Sequence, residues 1–173
     1  NKDLSNLRRD KIGFIFQDYN LLDNMNLMDN IALPLALGKK KTKDIENKVI
    51  NIAEIFGLKE HLKKYPYELS GGQKQRGAAA RALITDPKVI FADEPTGALD
   101  SRSSSDLLES LSRANKEENA TIVMVTHDCL VASYASEMYY VEDGKIINHI
   151  FKGNDSFEKF YNRIARISMQ IKL

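Results

Sequence analysis

Apolar positions along this chain follow two rhythms, short unbroken runs and stripes at helical spacing. Lys11-Ile-Gly-Phe-Ile-Phe16 is a run rich in branched and aromatic residues that polar Gln17 and Asp18 close, which predicts a buried strand. Val89-Ile-Phe-Ala92 predicts a second strand ending on Asp93 and Glu94, and Thr121-Ile-Val-Met-Val-Thr126 a third ending on His127 and Asp128. Between them, Ile45, Val49, Ile52, Ala53 and Phe56 mark one face of a helix that Gly57 caps. Ser70 is placed to cap another helix, which Asp86-Pro87 would stop. A third is predicted from about Ser101 to Lys116 with Leu107, Leu108, Leu111 and Ala114 inward. Met138–Val141, the turn Glu142-Asp-Gly-Lys145 and Ile146–Ile150 predict an antiparallel hairpin. From Ser156 on, Phe157, Phe160, Tyr161, Ile164, Ile167 and Ile171 predict a final amphipathic helix.

Strands alternating with helices imply right-handed crossovers and a mostly parallel sheet flanked by helices, an α/β fold. Ligands of such sheets bind beyond the carboxyl ends of the strands. Gln17, the Asp93-Glu94 pair and His127 each follow a strand, so three polar groups are expected to gather at one sheet edge.

Composition narrows the setting without naming a chemistry. The 173 residues suit one domain of ordinary globular make-up, with 43% hydrophobic and 28% charged residues. A formal net charge of +1 gives no footprint for nucleic acid or anionic lipid. The single cysteine, Cys129, cannot form an internal disulfide and reads as a small core residue in a reducing compartment. No run reaches the roughly 18 apolar residues of a membrane span, so direct membrane insertion is not expected.

Candidate chemistry sits at the element ends. Leu69-Ser-Gly-Gly-Gln73 puts a hydroxyl and two residues without Cβ at a helix start, where unpaired N–H groups and the positive dipole end hold phosphate oxygens. Taken alone, the same residues are a Ser-capped helix with flexible glycines. Asp93 and Glu94 have the form of a Mg²⁺-associated carboxylate beside a general base that polarises water for attack on phosphate. Alone, they are two turn acids before Pro95. His127 can donate a hydrogen bond to a terminal phosphate, or simply bond its own turn.

Order and spacing favour the first reading of each, and here the sequence resembles the nucleotide-binding domain of an ATP-binding cassette (ABC) transporter. Gln17 looks like the Q-loop, Leu69–Gln73 the signature motif, and Val89–Glu94 the Walker B strand with its glutamate. Gly97-Ala-Leu-Asp100 resembles the D-loop and His127 the switch histidine. The match runs from about Lys11 to Lys145. Phe91-Ala-Asp-Glu-Pro-Thr-Gly-Ala-Leu-Asp100 looks most like the branch serving MacB-type permeases and bacitracin-type peptide exporters. The stretch from Asn20 through Asp29-Asn-Ile-Ala-Leu-Pro34 and the tail after Gly153 are similar to the bacitracin group.

The resemblance implies a P-loop NTPase-like sheet with a helical signature subdomain at about 20–86, within a nucleotide-binding domain of residues 1–150, and a helical extension at 151–173. It also implies ATP and Mg²⁺ as cofactors, a second nucleotide-binding domain (a homodimer) and an integral membrane permease as partners, and peripheral attachment at the cytoplasmic face of the plasma membrane. Glu94, His127 and Gln17 would be catalytic, and Asp93 and Gln17 would serve Mg²⁺. Ser70, Gly71, Gly72, Gln73 and Asp100 would bind nucleotide, the signature residues in the partner's site. Residues from Asn20 to Pro34 would lie near the permease, although Leu21, Leu22, Met25, Leu27 and Met28 fit ordinary core equally well. A non-catalytic module that completes a partner's site, or a soluble cassette of translation or repair, are the competing readings.

One family motif is missing. No G-x-x-x-x-G-K-[ST] occurs in the 173 residues, so this chain alone is expected to bind ATP poorly and not to turn it over, as an N-terminally truncated form of a longer product. The absent piece is expected to hold the strand beside Val89–Ala92, leaving the sheet open at its centre with apolar faces exposed. Gly77 is expected to soften the signature helix by roughly 1 kcal/mol.

Overall fold

A computed structural model describes residues 11–38, 42–118 and 120–171. They fall into two units, one reaching Val125 and one starting at Thr126.

The first unit is built on a parallel three-stranded sheet in the order β1-β2-β3, with β1 at Ile12–Ile15, β2 at Val89–Asp93 and β3 at Thr121–Val125. Ile12 pairs with Val89 and Ile15 with Ala92, while Asp93 pairs with Val125. Alternate residues point to opposite faces of a strand. Ile15, Ile90 and Ala92 therefore enter the core with Ile122 and Met124 packed against it, and Phe14, Phe91, Val123 and Val125 stand exposed on the other face. The expected exposure of an apolar face is met, but the expected central gap is not. β2 is hydrogen-bonded on both flanks, so the strand after the signature helix already has both its neighbours.

Helices α1 (Leu27–Leu37), α2 (Thr42–Ile55), α3 (Gly71–Leu83) and α4 (Ser101–Glu118) complete this unit, with two 3-10 turns at Lys59–His61 and Pro66–Glu68. The stripe on α2 behaves as its spacing dictates: Val49, Ile52, Ala53 and Phe56 are buried, and Gly57 follows at φ +62° as the helix reverses. Each large side chain buried in this way contributes about 1.5–3 kcal/mol. Helix α3 runs through the middle of the core on small residues. Ala78, Ala79, Ala80 and Ala82 are buried, and a Cβ on Gly13 of β1 would lie 2.6 Å from the Ala82 carbonyl oxygen. Gly77 has a packing role beside its cost in helix propensity. A Cβ there would lie 2.6 Å from Cδ1 of the fully buried Leu27, so its missing side chain makes the seat in which α1 packs.

Helix α1 was not expected. Asn26 caps it, accepting a 2.8 Å bond from the Asp29 N–H, and Leu27, Ile31 and Leu35 form its buried stripe. Of the apolar residues that fit permease contact and core equally well in the sequence, Leu27 is core, Leu21 and Met28 pack partly buried against the core, Met25 is partly buried and Leu22 is exposed.

In the second unit Asp128 caps the short helix α5 (Cys129–Ala132) by accepting a 2.7 Å bond from the Leu130 N–H. The hairpin β4 (Glu137–Glu142) and β5 (Lys145–Phe151) turns at Asp143-Gly144, both at positive φ as a primed two-residue turn requires. Helix α6 (Phe157–Ile171) buries Phe160 and Ile164 against Ile150. The Tyr140 hydroxyl donates to the Ile164 carbonyl at 2.7 Å, and its burial raises its pKa. Cys129 is half-buried beside this cluster, with its Sγ 3.5 Å from Ser168 Oγ.

Candidate functional site

Parallel pairing of β1 with β2 brings the residues that follow both strands to one edge of the sheet. Gln17 is exposed there, and its side-chain amide lies against Gly97, whose added Cβ would meet Gln17 Cδ and Nε2 at 3.2 Å. Asp93 ends β2 and is exposed. Glu94, partly buried, leaves the strand at φ +42°, a left-handed conformation that a non-glycine residue keeps only when its surroundings hold it. Backbone bonds help to hold it: the Glu94 N–H donates to the Val125 carbonyl at 3.0 Å, and the Gly97 N–H donates to the Glu94 carbonyl at 3.0 Å.

The loop after Gln17 carries two more left-handed residues, Tyr19 at φ +36° and Asn20 at φ +52°. The Arg81 guanidinium of α3 donates to the Asn20 carbonyl at 2.6 Å and to that of Tyr19 at 3.1 Å. Burial of this guanidinium lowers its pKa, because desolvation disfavours the charged form. Gln75, one and a half turns into α3, also reaches the loop, donating through Nε2 to the Phe16 carbonyl at 2.9 Å and to the Pro95 carbonyl at 2.8 Å. The site expected from the sequence includes neither Gln75 nor Arg81. A signal for Gln75 was present in the sequence, since a glutamine stands on the inward stripe between Gly72 and Ala79.

The signature segment lies at the start of α3. Ser70 is its N-cap, with Oγ accepting from the Gln73 N–H at 3.3 Å, and Gln73 Oε1 accepts from the Ser70 N–H at 3.0 Å. This is a reciprocal capping box. The other end of the Gln73 amide, Nε2, lies 3.1 Å from His61 Nε2. Gly72 is buried against Ser103, where an added Cβ would lie 2.6 Å from Oγ and 2.8 Å from Cβ. Ser103 in turn meets Asp100, which accepts the Ser103 N–H at 2.9 Å and its hydroxyl at 2.8 Å. Those bonds hold the Asp100 carboxyl below the usual carboxylate range. Ser70, Gly71, Gly72, Gln73 and Asp100 are thus one neighbourhood joined through Ser103, and Tyr19 touches it: its hydroxyl lies 3.0 Å from where a Gly71 Cβ would be. His127 follows β3, is exposed and belongs to the second unit.

Among the described residues no three His, Cys, Asp or Glu side chains gather as a metal cage. One carboxylate at Asp93 and one amide oxygen at Gln17 are still a donor set that fits Mg²⁺, which is held by one or two protein oxygens together with water and substrate phosphates.

The family model described as "ABC transporter" matches residues 1–97. The bacitracin export ATP-binding protein BceA of Halalkalibacterium halodurans is 49% identical over 165 residues, 95% of this chain and 65% of that protein. The ABC transporter ATP-binding protein YxdL of Bacillus subtilis is 44% identical over 164 residues, 95% of this chain and 63% of that one. The chain therefore spans a little under two-thirds of these relatives. Among solved structures, the dimeric post-hydrolysis state of the ATP-binding cassette MJ0796 bound to ADP and Pi superposes with a TM-score of 0.76 at 35% identity, covering 87% of this chain and 67% of that one. Motifs, parallel sheet and comparisons agree, and the chain belongs to the ABC transporter family.

Proposed function

We propose that this chain is the ATP-hydrolysing subunit of an ABC transporter that drives a membrane permease exporting a peptide or lipid-like substrate. The observation that carries the reading is the single sheet edge at which β1 and β2 deliver Gln17, Asp93 and Glu94, with Gln17 packed on the turn that Glu94 opens. The bacitracin-export name of one relative supports the substrate class, and the dimeric ADP-bound neighbour supports a pair of such domains.

In this reading two copies meet head to tail. Glu94 accepts the proton of the water that attacks the terminal phosphate, and Gln17 orients that water. His127 donates a hydrogen bond to the γ-phosphate. Asp93 and Gln17 hold Mg²⁺, which when bound offsets the negative charge of the phosphates. The start of α3, with Ser70, Gly71, Gly72 and Gln73, meets the nucleotide of the other copy through backbone N–H groups at the positive end of the helix dipole. Asp100 caps α4 beside that surface. The subunit works at the cytoplasmic face of the membrane through the permease; no described helix is long and apolar enough to cross a bilayer.

The test is made on the full-length protein with Mg²⁺ and ATP. Glu94→Gln is expected to abolish turnover, by about a thousandfold or more, while equilibrium ATP binding stays as in the wild type. Turnover retained in this variant removes Glu94 from the role of base. A full-length wild type that hydrolyses no ATP, yet changes the hydrolysis of a second cassette mixed with it, favours the non-catalytic module instead.

A further inference from the structure

We infer that Gln75 is a positioning residue for ATP hydrolysis, fastening the loop of Gln17 and the turn of Glu94 to the same helix that carries the signature segment. The inference rests on the hydrolytic function proposed above.

Gln75 is fully buried, and its single Nε2 donates to two carbonyls, Phe16 at 2.9 Å and Pro95 at 2.8 Å. Phe16 directly precedes Gln17 and Pro95 directly follows Glu94, so one nitrogen holds the carbonyl of a residue next to each site residue. The amide orientation is fixed by its partners, because the flipped amide would set Oε1 against two carbonyl oxygens. The same side chain leaves Oε1 buried without a hydrogen-bond partner. A methionine of similar volume would fill this space without a stranded polar atom, so packing does not account for an amide here. What the amide adds is the pair of tethers.

The segments it ties need holding. Glu94 lies at φ +42° and Tyr19 and Asn20 at φ +36° and +52°, conformations that persist only where the surroundings over-determine them. Arg81 holds Tyr19 and Asn20 beyond Gln17, and Gln75 holds Phe16 before it, so α3 grips the loop on both sides of the Gln17 side chain. Gly97 closes the circuit by carrying the Gln17 amide on its surface while its own N–H donates to Glu94. A displacement at the start of α3, where the second copy's nucleotide would be met, is therefore passed through Gln75 to the base and the water-orienting amide of the first site.

Full-length wild type, Gln75→Met and Gln75→Glu are compared by kcat and KM for ATP from acid to alkaline pH, with melting temperatures alongside. Gln75→Met keeps the volume and loses both donors; kcat is expected to fall about ten- to a hundredfold with KM little changed, as for a misplaced catalytic group. Gln75→Glu offers one donor when protonated and none when ionised, so its kcat relative to wild type is expected to fall from about pH 6 to about pH 8 and to recover on return to acid. A folded Gln75→Met protein with kcat within about twofold of wild type overturns the inference. Should Gln75→Met not fold, a Gln75→Glu profile parallel to that of wild type overturns it. A wild type without ATPase activity overturns the functional reading and this inference with it, whereas an active wild type with unaffected variants overturns this inference alone.

Discussion

An added methyl at Gly77 meets Leu27 Cδ1 at 2.6 Å, inside a part of the core where Leu27 has no exposed surface. Two effects oppose each other at this residue. Alanine improves helix propensity by about 1 kcal/mol, while overpacking a filled site costs about 1–3 kcal/mol. The second is expected to win, and Gly77→Ala should lower stability by about 1 kcal/mol in urea unfolding of the full-length protein; a gain in stability would mean that Leu27 yields. From the sequence alone only the first effect is visible, because propensity belongs to the helix and the clash belongs to a residue fifty positions away. The inward position of Gln75 is legible on the helix stripe, but its role is hidden for a similar reason. Its two acceptors are backbone carbonyls of Phe16 and Pro95, and a carbonyl has no letter in the sequence. Ser70 and Gln73 were readable, since their partners are each other at the short spacing of a capping box.

At the scale of the element, strands β1, β2 and β3 and helices α2, α3, α4 and α6 were legible because each carries an apolar run or stripe closed by a cap or breaker. Helix α1 was not, although Asn26 and the spacing of Leu27, Ile31 and Leu35 contain its signal. Pro34 stands inside it and removes the donor that would meet the Asn30 carbonyl, which reads in sequence as a break. Asn30, a polar residue on the apolar stripe, obscures it further. Its side chain is fully buried because it organises the preceding loop: Oδ1 accepts from the Leu22 N–H at 2.7 Å, and Nδ2 lies 3.0 Å from the carbonyls of Leu22, Met25 and Asn26. Asn30→Ala strands these backbone groups and is expected to cost about 3 kcal/mol, measured as a shift in the urea midpoint with unchanged slope. A loss under about 1 kcal/mol would show that water replaces the amide without penalty.

At the scale of the molecule, the exposed sheet face is the feature that governs behaviour in solution. Phe14 and Phe91 are 45% and 41% exposed and stack at 5.7 Å, with Phe16 5.8 Å from Phe14 and Val123 and Val125 beside them. A contiguous apolar patch of this kind drives association. The 173-residue chain on its own is expected to self-associate at roughly ten micromolar in sedimentation velocity, and Phe14→Ser combined with Phe91→Thr to shift it toward monomer; a monodisperse wild-type monomer would contradict this. The capping box has its own consequence once two molecules meet. Ser70 and Gln73 already hold each other, and Gln73 also holds His61, so a nucleotide that recruits these side chains swaps one set of hydrogen bonds for another rather than adding a set. The net gain of such an exchange is small. In the proposed dimer this makes the signature contact a reversible latch, engaged while ATP is present and let go at little cost after hydrolysis, so that each cycle ends with the subunits free to part.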